Sequence, residues 1–237
     1  MDLLNLNPIS YYKFLLIGDS FLDVYLEDNI NIFKGGVLNV EENVKLLTDK
    51  KYELKTSKKP KCLNFFKKNK KVWSETNTKE FIPSEIVFTK VTTISDYNKG
   101  CLNQNMKIHS QIVIVDSKYC TTPKNHFESA KIKILKLAST DVFNTEFIEL
   151  FDYFIVTDPL YINLFFNKKL IYSWKNKEKK SICTIGAGDV FIASLTVSLY
   201  NCFRQFELSD LISAIELANY YATNSVAAPF TCRIKEI

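Results

Sequence analysis

The sequence has no Cys-x-x-Cys pair among its six cysteines, and its two histidines, His109 and His126, stand at no ligand spacing with a cysteine or carboxylate. Neither a zinc site nor a disulfide framework is expected, and scattered free thiols point to a reducing, cytoplasmic setting. Residues 1–12 lack the basic start and apolar run of a secretion signal, and no apolar stretch approaches membrane-spanning length. There is no internal repeat and no low-complexity linker. What remains is the composition of one globular domain. Its 237 residues are 46% hydrophobic and 24% charged, enough chain to bury a core unaided.

Negative charge is locally scarce. The net charge is +5, yet residues 50–71 alone hold ten lysines against one glutamate, and no arginine. Such a stretch suits a phosphate or nucleic-acid surface, helped by the apolar Cys62-Leu63-Asn64-Phe65-Phe66 at its centre. Without arginine's planar fork, and with no nucleic-acid module around it, the stretch reads better as a solvated hairpin whose lysines discourage edge pairing.

Four short apolar runs each end in an aspartate. They are Phe14-Leu15-Leu16-Ile17 before Asp19, Val91-Thr92-Thr93-Ile94 before Asp96, Ile112-Val113-Ile114-Val115 before Asp116, and Tyr153-Phe154-Ile155-Val156 before Asp158. Runs this short and this apolar predict parallel strands buried on both faces. Aspartates beyond their carboxyl ends stand where open α/β sheets bind ligands, although each one could equally cap a turn. Helices are predicted over residues 39–47, 125–137, 189–200 and 209–226, with Ser209 as an N-cap. Residues 48–90 are polar, lysine-rich and strand-like in places, and suggest a small lid or hairpin within a single domain.

The richest segment is Thr184-Ile185-Gly186-Ala187-Gly188-Asp189-Val190-Phe191-Ile192-Ala193-Ser194-Leu195. Small residues at a helix start let the backbone approach a ligand, and the first N–H groups form an anion hole strengthened by the helix dipole. A carboxylate in that turn could take the proton of a hydroxyl attacking a phosphoryl group held there. A plain alternative is that Gly188 eases a turn and Asp189 satisfies the helix end.

This segment resembles the C-terminal signature of the ribokinase-like (PfkB) carbohydrate kinases, in which the aspartate after Gly-Ala-Gly is the catalytic base. Leu16-Ile17-Gly18-Asp19-Ser20-Phe21-Leu22-Asp23-Val24-Tyr25, then Gly35-Gly36-Val37-Leu38-Asn39-Val40 with Asn43, is similar to the kinase domain of heptose-7-phosphate kinase. Ser95-Asp96-Tyr97-Asn98-Lys99-Gly100, Val115-Asp116-Ser117-Lys118 and Ala218-Asn219 with Ala222 follow in family order. The resemblance implies a three-layer α/β fold with a mostly parallel central sheet and a reduced lid. It further implies ATP and Mg²⁺ as cofactors, and a sugar or sugar phosphate, such as a heptose 7-phosphate, as acceptor. By position, Asp189 is the base and Gly186, Ala187 and Gly188 the anion hole. Asp23, Gly35, Gly36 and Asn39 would grip sugar hydroxyls, and Lys118, with Lys99, would face a substrate or nucleotide phosphate. Thr157 and Asn219 would lie near ATP, and Glu146 would help organise magnesium. Lid strands in the family often mediate dimers, which places a homodimer among the expectations and leaves the oligomeric state open.

The chain departs from the family pattern in several places. It is short between the first strand and Ser95. Cys183 and Ile185 replace an aspartate and a small residue before the glycine loop, and Phe143-Asn144-Thr145-Glu146 matches an Asn-x-x-Glu element with its spacing off by one. Thr157-Asp158-Pro159 stands for a glycine turn, and Phe230-Thr231 for Gly-Thr. These changes keep a second reading alive, a catalytically impaired relative that binds a sugar or a partner.

Overall fold

The computed structural model describes residues 14–27, 29–57, 62–76, 86–100, 102, 106–176, 180–202 and 206–234. The N-terminal segment read for a secretion signal (residues 1–12), Lys58, Lys59, Lys61 and Cys101 lie outside them.

The central sheet grows from strands of alternating burial. In β1 (Phe14–Gly18), Phe14 and Leu16 face one side while Leu15 and Ile17 face the other, all fully buried. That is the expected signature of a strand covered on both faces. β4 (Tyr52–Lys55) and β7 (Ile86–Asp96) pair in parallel on either side of β1. The parallel order continues through β8 (Lys107–Ser117), β9 (Ile132–Ala138) and β10 (Tyr153–Thr157). The antiparallel strands β11 (Tyr161–Phe166) and β12 (Lys169–Lys175) complete an eight-stranded sheet.

Three helices cover one face: α1 (Val37–Leu47), α3 (Ala187–Asn201) and α4 (Leu208–Ser225). Val40 and Val44 of α1, Phe191 and Leu195 of α3, and Leu211 and Ile215 of α4 pack with Phe14, Leu16, Ile114 and Ile134. Each such side chain contributes about 1.5–3 kcal/mol by leaving water. The opposite face is covered more thinly. Met106, Phe127, Phe147 and Phe151 close it, carried by loops, a 3₁₀ turn (Lys124–His126) and the one-turn α2 (Thr145–Ile148).

Two expectations are corrected here. Residues 125–137 are no helix, and most of the apolar part is β9. Ile132, Ile134 and Lys136 alternate with Leu135 and Leu137, a period of two that places Ile134 in one core layer and Leu135 and Leu137 in the other. Ser209 does not cap α4. Glu207 does, in a reciprocal box with Asp210, so Ser209 falls in the first turn.

A second, four-stranded sheet stands over the first, in the order β3-β2-β5-β6. It joins β2 (Ser20–Leu26) and β3 (Ile30–Gly36) to the hairpin of β5 (Cys62–Lys67) and β6 (Lys70–Thr76). Segment 48–90 is therefore divided. Its middle forms half of this lid, while β4 and β7 belong to the central sheet.

Candidate active site

A cavity of about 460 Å³ opens between the lid sheet, the carboxyl ends of β7, β8 and β9, and the start of α3. The backbone around it depends on two glycines. Gly18 lets β1 run close against β7, for a Cβ there would stand 2.1 Å from the carbonyl oxygen of Ser95. Gly186, at φ 84, turns the chain into α3 in a left-handed conformation that favours glycine. A Cβ on it would meet Asn39 Nδ2 at 2.7 Å and Thr231 Cγ2 at 2.8 Å.

Asp189 sits in the first turn of α3, 3% exposed, at the cavity wall. Asn39 Nδ2 donates to its Oδ2 at 2.9 Å and the Tyr97 hydroxyl donates to its Oδ1 at 3.0 Å. Burial pushes the carboxyl up from its ordinary 3.8 to about 7, and the charge of Asp116 adds to the rise. The bonds from Asn39 and Tyr97 and the charge of Lys136 pull the other way. A carboxyl poised there exchanges its proton readily near neutral pH.

The α3 entrance carries free donors. The amides of Ala187 and Val190 are taken by the carbonyls of Thr184 and Gly186, which leaves those of Gly188 and Asp189 with no backbone acceptor. Lys136 points at the same turn, its Nζ 3.0 Å from where a Gly188 Cβ would stand. It is 4% exposed and pairs with Asp116 at 3.2 Å. Unused amides, a glycine cradle and a buried cation suit an anionic triphosphate tail. Cys183 lies buried outside the cavity lining, whereas Thr184 and Ile185 are part of it.

Across the cavity, the lid presents Asp23. Asn64 Nδ2 donates to its Oδ1 at 2.9 Å, and Thr231 Oγ1 donates to its Oδ2 at 3.2 Å. Burial again raises the carboxyl above its ordinary value, and the bonds from Asn64 and Thr231 oppose the rise. Gly35 makes room for it, since a Cβ would come within 2.8 Å of Asp23 Oδ2. Phe230 holds a left-handed φ of 65 where the family pattern has glycine, a conformation that costs a side-chain-bearing residue about 1–2 kcal/mol. Its ring stacks on Phe33 and meets Tyr25 edge-on, contacts that offset the strain and keep Thr231 on Asp23.

No family model matches this chain, and no curated protein matches it. Solved structures do. A fructokinase double mutant from Vibrio cholerae, bound to fructose, ADP and potassium, superposes with a TM-score of 0.67 at 12% identity, covering 92% of this chain and 94% of that one. Aminoimidazole riboside kinase from Salmonella enterica, complexed with its riboside and an ATP analogue, gives 0.64 at 15%, covering 91% and 94%. Ribokinase from Thermotoga maritima gives 0.62 at 14%, covering 92% and 94%. This is the ribokinase-like fold.

Within that fold, the structure gathers Asp189, Gly186, Gly188, Asp23, Gly36 and Lys118 on one cavity, and Lys99 with them. Ala187 opens α3 beside them and Gly35 backs Asp23. Asn39, in the first turn of α1, stands behind Asp189, its amide hydrogens directed at Asp189 Oδ2 and the Cys232 carbonyl. Asn43 donates to Asn39 Oδ1 and so fixes the amide's orientation. Three further residues are not brought to the cavity. Thr157 bonds the Leu137 carbonyl, Asn219 bonds Asn176, and Glu146 is exposed on α2. Among the described residues no three carboxylate, histidine or cysteine side chains cluster to hold a metal. The four strand-end aspartates also part ways. Asp96 and Asp116 line the cavity, Asp19 anchors the amides of Tyr97 and Lys99, and Asp158 caps an exposed turn.

Tyr97, Asn64, Lys71 and Lys136 complete the site without having been singled out from sequence. Tyr97 directly follows a strand-end aspartate, the one available signal. Lys136 is hidden in a segment whose period of two looks helical when read from residue 125.

Proposed function

We propose that this protein transfers the γ-phosphoryl group of ATP to a hydroxyl of a sugar or sugar phosphate. The reading rests on one observation: a buried carboxyl of pKa about 7 in the same helix turn as two unused backbone amides. ATP would supply the phosphoryl, its tail resting on the Gly186–Gly188 turn. Asp189 takes the acceptor's proton as the hydroxyl oxygen bonds to phosphorus and the bond to ADP breaks. The amides and Lys136 then face the charge gathering on the transferred group. Asp23 is placed to accept a hydrogen bond from a second acceptor hydroxyl. Mg²⁺ would arrive with the nucleotide, keeping several waters, as that ion favours. A heptose 7-phosphate is the individual acceptor to try first, on the resemblance of residues 16–43 and 95–118. For a homodimer the surface to test is the outer lid face, where Ile30, Ile32 and Trp73 are more than half exposed.

The test is ATP turnover with Mg²⁺ across free and phosphorylated sugars, run beside Asp189→Asn. Sugar-dependent ADP release that this variant loses supports the reading. No turnover and no nucleotide-induced thermal shift would leave a binding module that has kept the fold without the chemistry.

A further inference from the structure

Both oxygens of Asp189 are already engaged: Oδ2 accepts from Asn39, and Oδ1 from the Tyr97 hydroxyl at 3.0 Å. The two contacts differ in kind. Asn39 lies outside the cavity lining, and an amide hydrogen there orients the base from behind. Tyr97 lines the cavity and offers the carboxylate a hydroxyl, the same group that an acceptor would offer it. Burial, and then the charge of Asp189, hold the phenol well above its ordinary pKa, so it keeps its proton and stays a donor to the base. The tyrosine is fixed from two sides. Its own amide and that of Lys99 both donate to Asp19 Oδ2 at 2.9 Å, which anchors the backbone. Its ring meets the Phe21 ring of lid strand β2 edge-on at 4.7 Å, and the Lys118 ammonium lies 5.1 Å from its centre.

A base poised beside a bound triphosphate has a wasteful reaction open to it. The oxygen of a water molecule bonds to the γ-phosphorus, the bond to ADP breaks, water's proton passes to Asp189, and the products are ADP and inorganic phosphate. Resting on the phosphotransfer reading and going beyond it, we infer that the Tyr97 hydroxyl is a place-holder for the acceptor hydroxyl on Asp189, and that it sets the preference for an acceptor over water. Water that displaced the phenol would replace one hydrogen bond by one hydrogen bond, with nothing further to drive the exchange. An acceptor with several hydroxyls brings a second contact, to Asp23. Phe21 and Asp23 stand two residues apart on β2 and line the same cavity, so an acceptor held by Asp23 lies beside the ring that holds Tyr97. Its arrival at the lid and the release of the base are then one event.

Tyr97→Phe keeps the ring and removes the hydroxyl. The assay is ADP release by the full chain from ATP and Mg²⁺, first with no acceptor and then across the sugar panel, at about pH 9, where Asp189 is ionised in both proteins. Without acceptor the variant should release ADP about 10-fold faster than wild type, the worth of one hydrogen bond that water need no longer displace. The KM for an acceptor should fall by up to the same factor. Phe21→Leu, which frees the ring from the lid, should raise the acceptor-free rate in the same direction and add nothing on top of Tyr97→Phe. Circular dichroism will verify that both variants fold. An acceptor-free rate that Tyr97→Phe leaves unchanged overturns the inference, because the tyrosine then only orients the base. A phosphoryl group found on Tyr97 by mass spectrometry overturns it too, because the residue is then itself an acceptor. The two readings also separate. Sugar-dependent turnover without the rise in the variant keeps the kinase and sinks the place-holder. Hydrolysis released in the variant, while wild type phosphorylates no sugar, does the reverse, and no ADP from either protein sinks both.

Discussion

Replacing Asp189 by asparagine should abolish activity and yet stabilise the fold at alkaline pH. Moving this carboxyl from 3.8 to about 7 sets a burial cost on its ionised form of about 4 kcal/mol at most. The sign follows from the direction. A folded value above the unfolded one gives stability that is complete below about pH 4 and is lost as pH rises through about 7. Asparagine carries no such cost. Its Oδ1 can accept from Asn39, and its amide can donate to the Tyr97 hydroxyl, which serves as acceptor as readily as donor. Allowing for some relaxation around the charge, we expect a gain of about 2 kcal/mol at pH 8, near 4–8 °C in Tm for a chain of this size. The gap should close towards pH 4. Turnover should fall by roughly 10²–10⁴ as the base is lost, while wild-type activity climbs with pH through about 7 as Asp189 ionises. Thermal melts from pH 4 to 8, with coupled ADP release alongside, measure both. A variant that keeps a tenth of wild-type turnover refutes the base, and one that melts lower at pH 8 refutes the buried-charge reasoning.

Tyr97→Phe removes a bond that favours the ionised Asp189, so the rise of activity should move to higher pH by less than about one unit, read from the pH profile of kcat. Gly186→Ala forces a side chain into a left-handed turn against Asn39 and Thr231; denaturant melts should show a loss of about 1–3 kcal/mol, with activity falling too. Asp116→Asn strands the buried Lys136 and should cost roughly 3 kcal/mol, much of it recovered by adding Lys136→Met, which a double-mutant cycle will show.

Local pattern determined much of this protein. Four apolar runs of both-face burial became β1, β7, β8 and β10 of a parallel sheet, and the glycine pair before an amphipathic segment became the entrance to α3, because backbone preference and burial act within a few residues. The same locality explains what was misread. A segment whose apolar residues fit either period was taken for a helix, and only its pairing between β8 and β10 made residues 132–138 a strand. Asn39 lies 150 residues along the chain from Asp189, and only folding brings its amide within 2.9 Å of that carboxyl. Tyr97 and Lys136 gained their places in the same way, from strand ends that meet only in the sheet. Composition marked residues 50–71 as a charged surface, but which lysine turned inward was decided by the register of β5 on β6. Helix entrances and strand faces are written in neighbouring residues; the distances between charges are set only when distant segments pack.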